Sequence, residues 1–146
     1  MQRDPHNYGR AEESTGQPIS PQDERVWAAL SHASILVWPA TGLLPIAPLI
    51  VWLIYKDRSP HVGFHALQSL WYQLAWLVIA TVGGILGTLF SVITFGFGVF
   101  LVIPLAAVLG LVPFVHSLYA AYRVYTGADF RYPYIADRME GSGRTL

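Results

Sequence analysis

The sequence predicts an all-α integral membrane bundle of four helices, two short and two long, arranged as two hairpins with both termini on the cytoplasmic side. Three observations carry that reading. First, between Arg25 and Arg123 the only Asp, Glu, Lys or Arg side chains are Lys56, Asp57 and Arg58. A soluble surface of that extent needs ionic groups, whereas a bilayer centre penalises each by about 3 kcal/mol or more. Second, each charge-free stretch is broken by turn-forming residues: Pro39-Ala40-Thr41-Gly42 in the first, and Ser91–Gly98, with Thr94, Gly96 and Gly98, in the second. Third, all nine Lys and Arg lie in the N-terminal tail, the 56–58 loop or the C-terminal tail, and none in the 39–42 or 91–98 connections. Two hairpins put every cation on one side, as the positive-inside rule requires.

Residues 1–19 are polar, lack apolar periodicity and read as a disordered tail. Ser20-Pro21 starts the first helix: Ser20 caps it, Pro21 suits its first position, and Asp23 and Glu24 favour the positive end of its dipole. That helix is expected from Pro21 to Trp38, and a second from Leu43 to Tyr55 with Pro45 in its first turn. Ser59-Pro60 repeats the start signal, so the third helix begins at Pro60 and runs to about Phe90. The fourth is expected from Val99 to Tyr125, with Pro104 and Pro113 as kink points and Gly127 as its C-cap. The membrane domain thus spans 20–127. Residues 128–146 form a polar and aromatic tail in which Arg131-Tyr132-Pro133-Tyr134 is extended. One point stays open: residues 26–55 are long for a single crossing of about 20 residues, yet each half is short for a full one. They make either two short crossings that thin the bilayer locally or a shallow hairpin.

Composition removes several function classes. The chain has no cysteine, which excludes disulfides, thiol catalysis, iron–sulfur clusters and thiolate zinc sites. Its formal net charge is zero, so nucleic-acid binding has no electrostatic basis. No acid lies inside a span, no glycine-rich phosphate loop is present, and Ser31-His32 are helix neighbours that point apart, so no catalytic constellation appears. The chain is not expected to be an enzyme, and no cofactor is assigned. No small-residue cleavage site follows a short apolar core, so the first apolar segment is expected to be retained.

The polar residues left inside the apolar stretches are the candidates for function. His32, His65 and His116 each lie seven residues from a boundary arginine: Arg25, Arg58 and Arg123. At about 1.5 Å per residue they sit about 10 Å along their helices, where Gln68, Gln73, Ser31, Ser34 and Ser69 are also near. Such a cluster cross-links helices through hydrogen bonds, meets a substrate or partner, or ligates a metal or haem. No two of these three histidines stand at i and i+4, so no short-range pair among them supports ligation, and no metal site is assigned. Ala80, Gly83, Gly84 and Gly87 form a small-residue face suited to close helix packing or self-association. Trp27, Tyr55, Tyr119, Tyr122 and Tyr125 read as a cytoplasmic interfacial belt, with Trp38 near the opposite interface. Lys56, Asp57 and Arg58 form the loop that fixes topology.

Four segments in combination resemble a known family: SHAS (31–34), LLPIAPLIVWLIYKDRSP (43–60), FHALQSLWYQL (64–74) and VYTGADFRYPYIADRM (124–139). They resemble a widespread bacterial family of small membrane proteins, itself similar to the chloroplast inner-envelope import component of about twenty kilodaltons; carrying function across on that ground is analogy. Matched by position, the marked residues are His32, Pro45, Trp52, Lys56, His65, Gln68, Gln73, Gly127, Tyr132 and Pro133. The resemblance implies four helices, the bacterial cytoplasmic membrane and, through the plastid relative, preprotein movement. The expected role is a non-catalytic subunit or scaffold of a membrane complex, with the lipid bilayer and a membrane protein or a second copy as partners. The alternatives are a small channel or transporter and a histidine-based haem, metal or quinone protein.

Overall fold

The structure is a computed structural model that describes residues 19–42, 44–133 and 135–143. Residues 1–18 of the expected tail, Leu43 and Tyr134 lie outside the described residues. Among the described residues every regular element is helical: α1 (Pro21–Ala33), a 3₁₀ turn (Ser34–Val37), α2 (Trp38–Thr41), α3 (Ile46–Tyr55), α4 (Pro60–Ile93), α5 (Val99–Tyr125) and α6 (Ile135–Gly143).

Both Ser-Pro signals start helices as expected. The Ser20 hydroxyl oxygen accepts from the Asp23 N–H at 3.1 Å, and that of Ser59 accepts from the Val62 N–H at 3.2 Å. The Ser59 hydroxyl in turn donates to the Glu24 carboxylate at 2.6 Å. That bond ties the starts of α1 and α4 together, so the two helices rise side by side.

The first helix does not run unbroken to Trp38. The Ser34 hydroxyl bonds back to the Ser31 carbonyl at 2.7 Å, and Pro39 has no N–H to offer the Ile35 carbonyl. The chain tightens into a 3₁₀ turn, and a short α2 ends at Gly42 in the left-handed region (φ 64°). The second helix starts at Ile46, three residues later than expected. Pro45 disfavours helical geometry at Leu44, and the Ile46 N–H closes a tight turn onto the Leu44 carbonyl at 2.9 Å.

The two later helices dominate the molecule. Both α4, with 34 residues, and α5, with 27, are long and apolar enough to cross a membrane. Pro104 and Pro113 lie inside α5 without ending it. The turn between the helices is shorter than expected, because α4 continues to Ile93. Phe95 and Gly96 adopt positive φ there, and the Thr94 hydroxyl accepts from the Gly98 N–H at 2.8 Å. Gly98 has no room for a side chain: a Cβ would lie 2.9 Å from the Ser91 backbone and 2.8 Å from the Phe90 ring. Gly98→Ala is therefore expected to destabilise the hairpin by about 1–3 kcal/mol, read as a lower midpoint of thermal unfolding in detergent. An unchanged midpoint would show that the turn has slack to absorb a methyl group.

The packed region lies at the charged end. There Ala28 and Ala29 of α1 meet Ala121 and Val124 of α5, and Val51 of α3 meets Val62 and Ala66 of α4. Gly63 fits the corner where α3 turns into α4, its Cβ position only 3.2 Å from the Lys56 Cα. Lys56, Asp57 and Arg58 are all exposed on that corner. At the other end, between residues 74 and 112, only Gly98 is buried, and large apolar side chains such as Ile85, Leu89, Ile103 and Leu111 are bare.

Of the small-residue face, Gly87 packs closely against Val102; Ala80 is exposed, and a Cβ at Gly83 or Gly84 would meet nothing within 4 Å. One expectation is corrected. Trp38 is not interfacial. It is 4 % exposed, donates to the Gln73 side-chain carbonyl at 2.7 Å and packs edge-on to Phe114. The first hairpin is shorter than the second, so its tip abuts the middle of the long helices.

Candidate functional site

A polar and aromatic centre fills the charged end of the bundle. His32 of α1 and His65 of α4 face each other, with His32 Nε2 and His65 Nδ1 3.2 Å apart. The other nitrogen of His32, Nδ1, lies 3.3 Å from the Tyr132 hydroxyl, which also lies 3.2 Å from the Ser117 hydroxyl of α5. These groups join three helices and the chain segment after α5. That segment enters the core because Gly127 ends α5 with φ 83° and turns the chain back over the bundle. Tyr132 is then 1 % exposed and stacked on Tyr72, with centroids 3.9 Å apart and planes 7° from parallel. Burial pushes the Tyr132 phenol well above its usual range, so it stays neutral and remains a hydrogen-bond donor.

The predicted polar residues fall into four groups. His32 and His65 share the chain just described. His116 is held apart: its Nδ1 lies 3.0 Å from the Tyr72 hydroxyl, and its ring is edge-on to Tyr132. His116 shares ring neighbours with His32: both stand edge-on to Phe130 and Tyr132. Gln73 forms a separate knot, accepting from Trp38 and donating to Ser34 at 3.1 Å and Ser69 at 3.2 Å. The Ser69 hydroxyl donates to the Ser31 carbonyl at 2.7 Å. Gln68 donates to the Phe130 carbonyl at 3.3 Å, which ties α4 to the returning segment.

Tyr72 and Ser117 belong to this centre and were not singled out from the sequence. A signal for Tyr72 existed: His65, Gln68, Ser69 and Tyr72 follow each other at helical spacing on one face of α4. Ser117 is adjacent to His116 and carries no comparable signal.

The geometry supports cross-linking better than metal ligation. Both ring nitrogens of His32 are engaged, and one nitrogen each of His65 and His116 is bonded to another side chain. Among the described residues no three His, Asp or Glu side chains are placed to hold a metal ion. The Trp27 and Tyr55 rings pair at 5.2 Å, while Tyr119, Tyr122 and Tyr125 are exposed.

Beside His65 an open cavity of about 420 Å³ reaches the surface, and Arg25, His61, Asp129 and Arg131 also line it. Arg25 is seated by glycine: its guanidinium lies 3.3 Å from where a Gly127 Cβ would be. The Arg131 Nε donates to Asp129 at 3.2 Å, and its guanidinium lies over the Phe64 ring.

Comparison with known proteins adds one result. The model of a family described as the magnetosome magnetite crystal formation protein family matches residues 23–139. No curated protein and no solved structure matches the chain. The match covers nearly the whole stretch that resembles a bacterial membrane-protein family, including the polar centre and the returning segment. It does not extend to the chloroplast import component, so a translocation role has no support from it. The chain belongs to the magnetosome magnetite crystal formation protein family.

Proposed function

We propose that this chain is a non-catalytic multi-pass membrane protein that serves as a scaffold or subunit of a membrane complex, both termini facing the cytoplasm. The observation that carries the proposal is the bare apolar hairpin of α4 and α5 beyond the packed end. Apolar side chains left uncovered over two long helices suit lipid or a membrane partner. The family description names magnetite crystal formation in magnetosomes as the process. On this topology the chain serves that process from within the membrane and not by holding mineral. The connection on the far side, 94–98, carries no carboxylate to ligate a hard metal cation.

The first hairpin then enters the cytoplasmic leaflet without crossing. Its tip residue Trp38 is bonded to Gln73, which lies 20 residues before Ile93. That distance, about 30 Å of helix, already equals the hydrocarbon core. Helix α4, at about 51 Å, exceeds the core and tilts. The exposed Leu36, Val37, Ile46 and Leu53 of the first hairpin lie in the near leaflet.

Because the chain has no cysteine, single cysteines report topology without background. In sealed, oriented membranes, Asp57→Cys is expected to react with an impermeant maleimide from the cytoplasmic side and Phe95→Cys from the opposite side. Ala40→Cys is expected to react from neither. Labelling of Asp57→Cys and Phe95→Cys from one side would sink the topology, and far-side labelling of Ala40→Cys would show a full first hairpin. Crosslinking in native membranes tests the scaffold role itself: reproducible neighbours are expected, and a strictly monomeric, uncrosslinked chain contradicts it.

A further inference from the structure

The cavity is lined by a histidine with a buried ring nitrogen that is unbonded among the described residues. His65 is 1 % exposed, yet its Nε2 has no hydrogen-bond partner among the described residues. Leaving such a group dry forfeits its hydration with no bond in return, so an orphan at the wall of an open cavity points to a ligand.

The hydrogen-bond chain behind His65 decides what that nitrogen offers. If the Ser117 hydroxyl donates to Tyr132 and Tyr132 donates to His32 Nδ1, then His32 carries its proton on Nε2 and donates to His65 Nδ1. The His65 proton must then sit on Nε2, the ring nitrogen turned away from His32 on a residue that lines the cavity. In the reverse order the Ser117 hydroxyl, fully buried, gives up its acceptor in Tyr132. The forward order keeps every donor in the chain bonded up to the cavity wall, so His65 presents an N–H there.

Around that donor the wall is cationic. Arg25 is seated on Gly127, and Arg131 stands over Phe64 with Asp129 at its Nε. Among the described residues that line the cavity, Arg25 and Arg131 bring two guanidinium groups and Asp129 the carboxylate, and guanidinium forks fit phosphate oxygens. The volume, about 420 Å³, suits a headgroup-sized ligand. The cavity also lies at the charged end of the bundle, where lipid phosphates would be. Basic pockets between membrane helices on the cytoplasmic side suit anionic headgroups.

We propose that this cavity binds the phosphate of an anionic phosphoester, clamped by Arg25 and Arg131 with His65 Nε2–H as the buried donor. Two sources share that chemistry, a phospholipid headgroup and a soluble phosphate compound. The phospholipid source rests on the membrane placement proposed above and the soluble source does not, so the two probes tell a failure of that placement from a failure of the site.

The test uses the full chain in a neutral maltoside detergent and titration calorimetry with three probes: phosphatidylglycerol, phosphatidylcholine and glycerol phosphate. Saturable binding of phosphatidylglycerol at a single class of site supports a lipid ligand, and saturable binding of glycerol phosphate supports a soluble one. In either case Arg25→Gln and Arg131→Gln are each expected to weaken binding about tenfold or more, whereas Arg58→Gln, on the exposed corner, leaves it unchanged. Helicity of each variant is checked by circular dichroism; both arginines lie at the surface, so either variant can decide alone. The proposal is overturned if neither anionic probe binds saturably, if phosphatidylcholine binds as tightly as phosphatidylglycerol, or if Arg58→Gln weakens binding as much as the other two.

Discussion

Tyr132→Ala is expected to cost about 3–5 kcal/mol of stability, the range for truncating a buried aromatic. Tyr132 carries more contacts than any other residue of the polar centre. Its ring stacks on Tyr72 and stands edge-on to His32, His116 and Phe130, and its hydroxyl sits between His32 and Ser117. Removing the ring opens a cavity and also frees the segment after Gly127, which holds Phe130 and leads into α6. Tyr132→Phe keeps the ring and removes only the hydroxyl, so a smaller loss of about 1–3 kcal/mol is expected. Thermal unfolding in detergent gives the order wild type, Tyr132→Phe, Tyr132→Ala. Limited proteolysis at Arg131 and Arg138 should accelerate in the alanine variant before the rest of the chain unfolds. An alanine variant within about 0.5 kcal/mol of wild type would mean that the returning segment is not part of the core. Alkali offers a second handle. Because burial raises the phenol pKa in the folded state, the unfolded chain loses the proton first. Stability from this group is full below the ordinary phenol range and falls as pH rises past about 10. Tyr132→Phe should lack that part of the alkaline loss.

Much of the fold was legible because helix starts and charge exclusion are local physics. Ser20-Pro21 and Ser59-Pro60 announced α1 and α4, and Gly127 announced the end of α5. What escaped depended on lengths and partners that no single segment carries. The burial of Trp38 follows from a first hairpin too short to reach the far end of α4, a comparison between elements and not a property of Trp38. The helix Ile135–Gly143 escaped for a related reason: its sequence holds two glycines and reads as a polar tail, and its place depends on Tyr132 anchoring the chain just before it. In the candidate site, His32 and His65 were identifiable because polar groups are rare in a charge-free stretch. His116 was identifiable on the same ground, but its bonding to Tyr72 was not, since distance from a charged residue measures position along one helix and names no partner on another. Tyr132 entered only through a family resemblance, because a Tyr-Pro pair in a polar tail gives no sign that it folds back into the core.

His32→Ala is expected to cost about as much as Tyr132→Ala, about 3–5 kcal/mol, by a different route. His32 is fully buried, and both ring nitrogens are used. Alanine leaves a void, removes the partner of His65 Nδ1 and takes from the Tyr132 hydroxyl one of its two neighbours. His32→Gln can restore one donor and one acceptor, so it should recover part of the loss. His116→Ala is the informative contrast. His116 is only partly buried and makes one side-chain bond, to Tyr72, so a cost of about 1 kcal/mol is expected. Three histidines acting as equivalent ligands would instead give similar losses at all three positions, and those losses would depend on metal. A double-mutant cycle between His32→Ala and Tyr132→Phe separates a connected chain from independent contacts. Coupling of about 1 kcal/mol or more is expected if the Tyr132–His32–His65 path acts as a unit. Strict additivity would break the path at Tyr132, and with it the argument that the proton of His65 sits on Nε2.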